Sequence, residues 1–89
     1  MLWECKFDKQ AVKDLQDIPQ QRQKRIVQAI TVLAKDPYLK NNNIKRLTGV
    51  LTGYYRLRIG NYRVLYLIDS NSQTIFITAV LPRNEKTYK

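Results

Sequence analysis

The stretch that most constrains this chain is Gly53 to Asp69, GYYRLRIGNYRVLYLID, where residue character alternates on both sides of a Gly-Asn pair. A period of two fits a pleated strand with one dry and one wet face. Two such runs around a Gly-Asn pair predict a β-hairpin with a two-residue turn. With Gly60 and Asn61 in the turn, Ile59 faces Tyr62 and Arg58 faces Arg63; Leu57 then faces Val64, and Arg56 faces Leu65. Tyr55, Leu57, Ile59, Tyr62, Val64 and Tyr66 fall on one face, and Arg56, Arg58 and Arg63, with Leu65, on the other.

An apolar hairpin face needs a cover, and the first half of the chain supplies candidates. Leu2 to Phe7 reads as a short strand, and Asp8 can cap a following helix. Val12, Leu15 and Ile18 recur at helical spacing until Pro19. A second helix is predicted from about Gln20 to Ala34. Ile26, Val27, Ile30 and Leu33 form its apolar stripe, and Arg22, Lys24, Arg25 and Gln28 point mostly away. Asp36 to Lys45, with Pro37 and an asparagine triplet, reads as a surface loop between the helical and strand halves. After a turn over Asp69 to Ser72, Thr74 to Leu81 is the last strand; Pro82 ends it, and a polar tail runs from Arg83 to Lys89. Trp3, Cys5, Phe7 and Phe76 read as core residues.

The expected fold is α+β: an N-terminal strand, a two-helix hairpin, then an antiparallel three-strand meander with the helices packed on one face of the sheet. Residues 1–89 are expected to form a single domain.

Composition removes several chemistries. The chain has no histidine and one cysteine, which leaves no usual zinc spacing, no internal disulfide and no Ser-His-Asp or Cys-His pairing. The first ten residues, MLWECKFDKQ, do not read as a signal peptide, and no apolar run approaches the roughly 20 residues of a membrane span. A reducing cytoplasm is the expected location.

Sixteen Lys and Arg against seven Asp and Glu leave a net charge of +9. Residues 45–89 hold eight basic and two acidic side chains, so the excess is concentrated in the strand half. A polyanion or an acidic protein is the partner such a balance suits; a solvated basic face is the alternative. Arg58 opposite Arg63 is an unfavourable like-charge pair that an anion between them would relieve. Arginine also suits bidentate phosphate binding better than lysine does.

The hairpin, the strand ending at Phe7-Asp8, the two helices, the KRLTG segment from Lys45 to Gly49, and the Arg83 and Tyr88 tail together resemble the RelE/ParE toxin superfamily over nearly the whole chain. The resemblance is strongest to its RelE-like messenger RNA interferase branch. It implies the toxin of a type II toxin–antitoxin module, a ribosome-dependent endoribonuclease cutting mRNA in the ribosomal A site. The alternative within the superfamily is a ParE-like inhibitor of DNA gyrase without nuclease activity. An inactive basic module that only binds an antitoxin or nucleic acid is a third reading.

By position, the resemblance implies catalytic roles for Arg56, Arg58, Arg63, Arg83 and Tyr88. Arg56 and Arg58 stand where relatives often carry lysine, and Pro82 stands where His or Lys is common. Tyr88 matches a tyrosine on which a base stacks. Arg22, Lys24, Arg25, Lys45, Arg46, Tyr54 and Lys86 are candidate RNA contacts. The implied chemistry is attack of a 2′-hydroxyl on the neighbouring phosphate without metal or other cofactor. It needs a base, cations for the transition-state charge and an acid for the leaving 5′-oxygen. Arginine serves the second task and is a poor base; Glu85 and Lys86 are titratable candidates near Arg83. The implied partners are an acidic, partly disordered RelB-like antitoxin, the 70S ribosome with its mRNA and rRNA, and operator DNA only through the antitoxin complex. No membrane partner is expected.

Overall fold

The computed structural model describes residues 3–38 and 42–82. In chain order these residues form β1 (Glu4–Phe7), α1 (Lys9–Gln16), α2 (Gln20–Lys35), β2 (Ile44–Arg46), a 3₁₀ turn (Gly49–Leu51), β3 (Tyr55–Ile59), β4 (Tyr62–Asp69) and β5 (Thr74–Pro82). Asp8 starts α1 as expected: its extended backbone leaves the strand, and its carboxylate accepts the Lys9 N–H at 2.9 Å. At the joint between the helices, the Pro19 carbonyl accepts the N–H groups of Arg22 and Gln23 at 2.9 and 3.0 Å. The Gln23 amide donates to the Ile18 carbonyl at 2.7 Å, so one side chain ties the start of α2 to the end of the α1 segment.

The five strands form one sheet in the order β1-β5-β4-β3-β2. The β3–β4 register is the one expected, from Ile59 opposite Tyr62 to Tyr55 opposite Tyr66. Two expectations need correction. The sheet is mixed rather than antiparallel, because β1 pairs in parallel with β5, Cys5 lying opposite Ile75. Parallel neighbours need a long connection, which the helices and the rest of the sheet provide. The segment read as a loop from Asp36 to Lys45 also ends in a strand: β2 pairs antiparallel with β3, placing Lys45 opposite Arg56 and Arg46 opposite Tyr55. Within that segment Pro37 is fully buried rather than at the surface.

Both helices cover the same sheet face. Ala11, Ile18, Ile26, Ile30 and Leu33 pack with Leu57, Val64, Tyr66, Ile75, Ile77 and Val80, and Trp3 and Cys5 join this core part-buried. Phe7 and Phe76, expected inside, are each 37 % exposed. Phe76 lies opposite Leu67 and Lys6, on the face away from the helices, and Phe7 ends β1. Val27, at 47 % exposed, flanks the buried stripe of α2 rather than belonging to it. An irregularity between Leu65 and Tyr66 sets Thr78 out of register with β4, and its hydroxyl donates to the Leu65 carbonyl at 3.1 Å. Beyond β1's pairing with β5, the Val80 N–H donates to the Asp14 carboxylate at 2.9 Å, fastening α1 to β5. No helix among the described residues is long and apolar enough to cross a membrane.

Candidate active site

The hairpin turn fixes where the charges go. Gly60 takes φ +55°, and Gln73 is the one non-glycine described residue with positive φ, so Asn61 does not share that conformation. A left-handed residue at the first turn position alone is the type II′ pattern, whose twist matches the flanking strands. The Arg58 N–H points away from β4 and donates to the Asn43 carbonyl at 2.8 Å. Arg58 and Arg63 are therefore an opposed pair without mutual backbone bonds, the class in which side chains lie closest, with Cβ atoms about 4.5–5.5 Å apart. Two unit charges 6 Å apart at an effective dielectric constant of 20 repel by about 3 kcal/mol. An anion seated between them turns that repulsion into two attractions.

The surroundings sharpen this arrangement. Arg63 is buried at 8 % exposure, the one buried charged side chain among the described residues. Arg56 and Arg58 are half-buried. The Arg56 Nε is buried with no hydrogen-bond partner, a donor suited to a charge-assisted bond to an incoming oxygen. Lys45, on β2 directly opposite Arg56, lies on the same face and is exposed. Tyr54 precedes β3 by one residue and belongs to that face by alternation. Its carbonyl accepts the Leu47 N–H at 2.9 Å, and its N–H donates to the Leu51 carbonyl at 3.0 Å. Tyr54 is half-buried.

The expected site residues thus divide. Arg56, Arg58, Arg63, Lys45 and Tyr54 come together. Arg46 faces the other side of the sheet, beside the Tyr55–Tyr66 stack, whose ring centroids are 5.6 Å apart. Arg22 does not point away as expected: its guanidinium carbon sits 6.0 Å from the Tyr62 ring centroid. With Arg25, Ile26, Gly60 and Asn61 it lines a cleft of about 180 Å³ on the helix side of the hairpin tip. Lys24 is exposed and belongs to neither group. Arg83, Glu85, Lys86 and Tyr88 lie outside the described residues.

Two further titratable groups are unsuited to acid–base work. Burial, followed by the neighbouring Tyr55, pushes the Tyr66 phenol well above the ordinary tyrosine value. Burial likewise pushes the Cys5 thiol up, away from a reactive thiolate. No three His, Cys, Asp or Glu side chains cluster for a metal among the described residues.

The position of Lys45 beside Arg56 was hidden in the sequence, because a three-residue strand after an asparagine run carries almost no periodic signal. Asp14 was also missed. Its only signal is a carboxylate one residue before Leu15 on an otherwise mixed helix face.

Residues 5–87 match the family model described as the ParE toxin of the type II toxin–antitoxin system parDE. The RelE1 toxin protein of Methanocaldococcus jannaschii is 34 % identical over 90 residues, covering all of this chain and 98 % of that one. Among solved structures, the toxin–antitoxin complex RelBE2 of Mycobacterium tuberculosis contains a chain 30 % identical, with a TM-score of 0.82 over 93 % of this chain and 100 % of that chain. The archaeal RelE–RelB complex of Pyrococcus horikoshii contains one 31 % identical, with a TM-score of 0.81 over 96 % and 99 % of the two chains.

Proposed function

This chain belongs to the ParE toxin family of type II toxin–antitoxin systems, within the RelE/ParE superfamily, and from that premise we propose that it is a ribosome-dependent endoribonuclease that cuts mRNA in the A site. The observation that carries this reading is the arginine face: Arg58 opposite Arg63, with Arg56 two residues along β3 and Lys45 opposite it on β2. Three guanidiniums on one sheet face suit a phosphate that gains charge during reaction.

In the proposed reaction the scissile phosphate sits over Arg58 and Arg63. The adjacent 2′-oxygen attacks phosphorus, the bond to the 5′-oxygen breaks, and the products carry a 2′,3′-cyclic phosphate and a 5′-hydroxyl. Arg63 supplies preorganised charge, because solvent screens a buried guanidinium little. Arg56 and Arg58 hold the non-bridging oxygens, and Tyr54 supports a flanking base. Arg83 and Tyr88 are assigned here by resemblance, as catalytic cation and stacking ring. Arg22 and Arg25, on the other side of the hairpin tip, and Lys24, Arg46 and Lys86 serve as outer RNA contacts.

The M. tuberculosis and P. horikoshii relatives were solved as complexes with antitoxins. By analogy the partner is a RelB-like acidic chain that neutralises the +9 charge, operator DNA being bound only through that complex. A gyrase inhibitor has no need for a phosphate-centred cluster, and the curated relative is named as a RelE. The test adds toxin freed from its antitoxin to translating ribosomes and maps mRNA 5′ ends. Codon-phased cuts support the reading. Intact mRNA with gyrase-dependent DNA breakage overturns it.

A further inference from the structure

We propose that Lys45 is the general base of this site, its neutral amine accepting the proton of the attacking 2′-hydroxyl; the proposal rests on the ribonuclease reading above. That reaction requires a group able to take up a proton near neutral pH, and guanidiniums do not release theirs below about pH 12. Immediately around the arginines, β4 and β5 place Leu65, Ala79 and Leu81 on this face, none of which titrates. The strand that completes it on the open side is β2, and there the register puts Lys45 directly opposite Arg56.

Directly opposed residues share a face, so the flexible Lys45 stem is long enough to reach the surface where the phosphate would lie. Glu4 and Lys6 also belong to this face, yet they sit on β1 at the far edge of the sheet, beyond β5 and β4, and Asp69 lies at the end of β4 remote from the hairpin turn. The groups facing Lys45 are Arg56 directly and Arg58 diagonally, both from β3, and Tyr54 diagonally from the residue just before it. Arg46, its neighbour in β2, faces the other way, and no described strand flanks the outer edge of β2. Exposure of Lys45 gives the amine access to substrate and water and lets it be replaced without opening the core.

The step balances as follows. The 2′-hydroxyl proton passes to Nζ while the bond from the 2′-oxygen to phosphorus forms and the bond from phosphorus to the 5′-oxygen breaks. The departing 5′-oxygen takes a proton from water, and the Lys45 ammonium returns its proton to the hydroxide so formed. Below the pKa of any amine the neutral fraction rises tenfold per pH unit, so the rate follows pH in that range.

Single-turnover cleavage on mRNA-programmed ribosomes, measured from about pH 6.5 to 9, tests this. The wild-type rate should rise with pH. Lys45→Arg preserves charge and RNA affinity but should cut about 10²- to 10⁴-fold more slowly and lose that rise. Lys45→Ala should recover activity when methylamine or ethylamine is added, which a purely structural role would not allow. A Lys45→Arg protein that keeps the wild-type pH dependence, whatever its rate, overturns the assignment. So does a Tyr54→Phe protein that loses the dependence while Lys45→Arg keeps it. A wild-type protein that leaves ribosome-bound mRNA intact overturns the ribonuclease reading itself, and is distinguished from the other outcomes by that first measurement.

Discussion

Replacing Arg58 with methionine should make the free protein more stable and the toxin less active. Methionine keeps most of the aliphatic stem and removes the charge. In the fold, Arg58 stands opposite Arg63 in the pair class with the closest side chains. The repulsion of about 3 kcal/mol for rigid charges at 6 Å is an upper figure, because Arg58 is half-buried and its guanidinium can swing into water. Like charges at opposed sheet positions act through a term of about 0.2–1 kcal/mol, so Arg58→Met should gain that much. For a domain of this size the gain corresponds to a rise of about 1 to 8 °C in Tm at low ionic strength. It should shrink as added salt shortens the Debye length. Arg58→Lys keeps the charge and should gain almost nothing. Thermal melts of the three proteins, with and without inorganic phosphate, read this directly. Phosphate should stabilise wild type by mass action and Arg58→Met much less. An Arg58→Met protein that melts lower than wild type, together with a wild type indifferent to phosphate, would refute the idea that these charges are gathered for an anion.

Three other outcomes follow from the surrounding structure. Asp14→Ala leaves the Val80 N–H without its acceptor and frees the Gln10 amide bonded to Asp14 at 2.8 Å; denaturant melts should show a loss of about 1.5–3 kcal/mol, with Asp14→Asn losing less. Tyr66→Phe removes a buried hydroxyl that has no hydrogen-bond partner and should leave stability unchanged or raise it by up to about 1–3 kcal/mol near neutral pH. The same variant should flatten the alkaline limb of the stability curve. The folded-state pKa of Tyr66 is raised, so its contribution is fully present below the unfolded value near 10 and is lost as pH climbs above that value, by up to about 1.4 kcal/mol per unit; wild type should therefore fall more steeply than Tyr66→Phe in melts above pH 10.

The parts of the fold that the sequence made legible are those set by local rules. The hairpin register could be written down because a two-residue turn and strict alternation leave one pairing, and it placed the Arg58–Arg63 pair correctly. Asp8 and Pro19 marked the helix starts because capping and proline chemistry act within a turn. What stayed hidden depends on distant partners. β1 carries no mark saying that it pairs in parallel with β5, since either sheet edge could have received it. Ile44, Lys45 and Arg46 are extended because β3 offers them an edge, a long-range cause that their own composition does not express. Phe76 resembles a core residue until the irregularity in β4–β5 pairing and the sheet's second face are known. The candidate site was half legible for the same reason: its arginines lie on the hairpin, while Lys45 arrives from the strand that no local pattern announces.

The central claim is that the arginine face serves attack by a 2′-hydroxyl on the adjacent phosphate, and the substrate tests it most directly. Ribosomes programmed with an mRNA carrying a single 2′-deoxynucleotide immediately 5′ of the scissile phosphate should resist this toxin. The all-ribose message should be cut there, leaving a 2′,3′-cyclic phosphate and a 5′-hydroxyl. Cutting of the 2′-deoxy message at the same bond, or ends bearing a 3′-hydroxyl and a 5′-phosphate, would contradict the account.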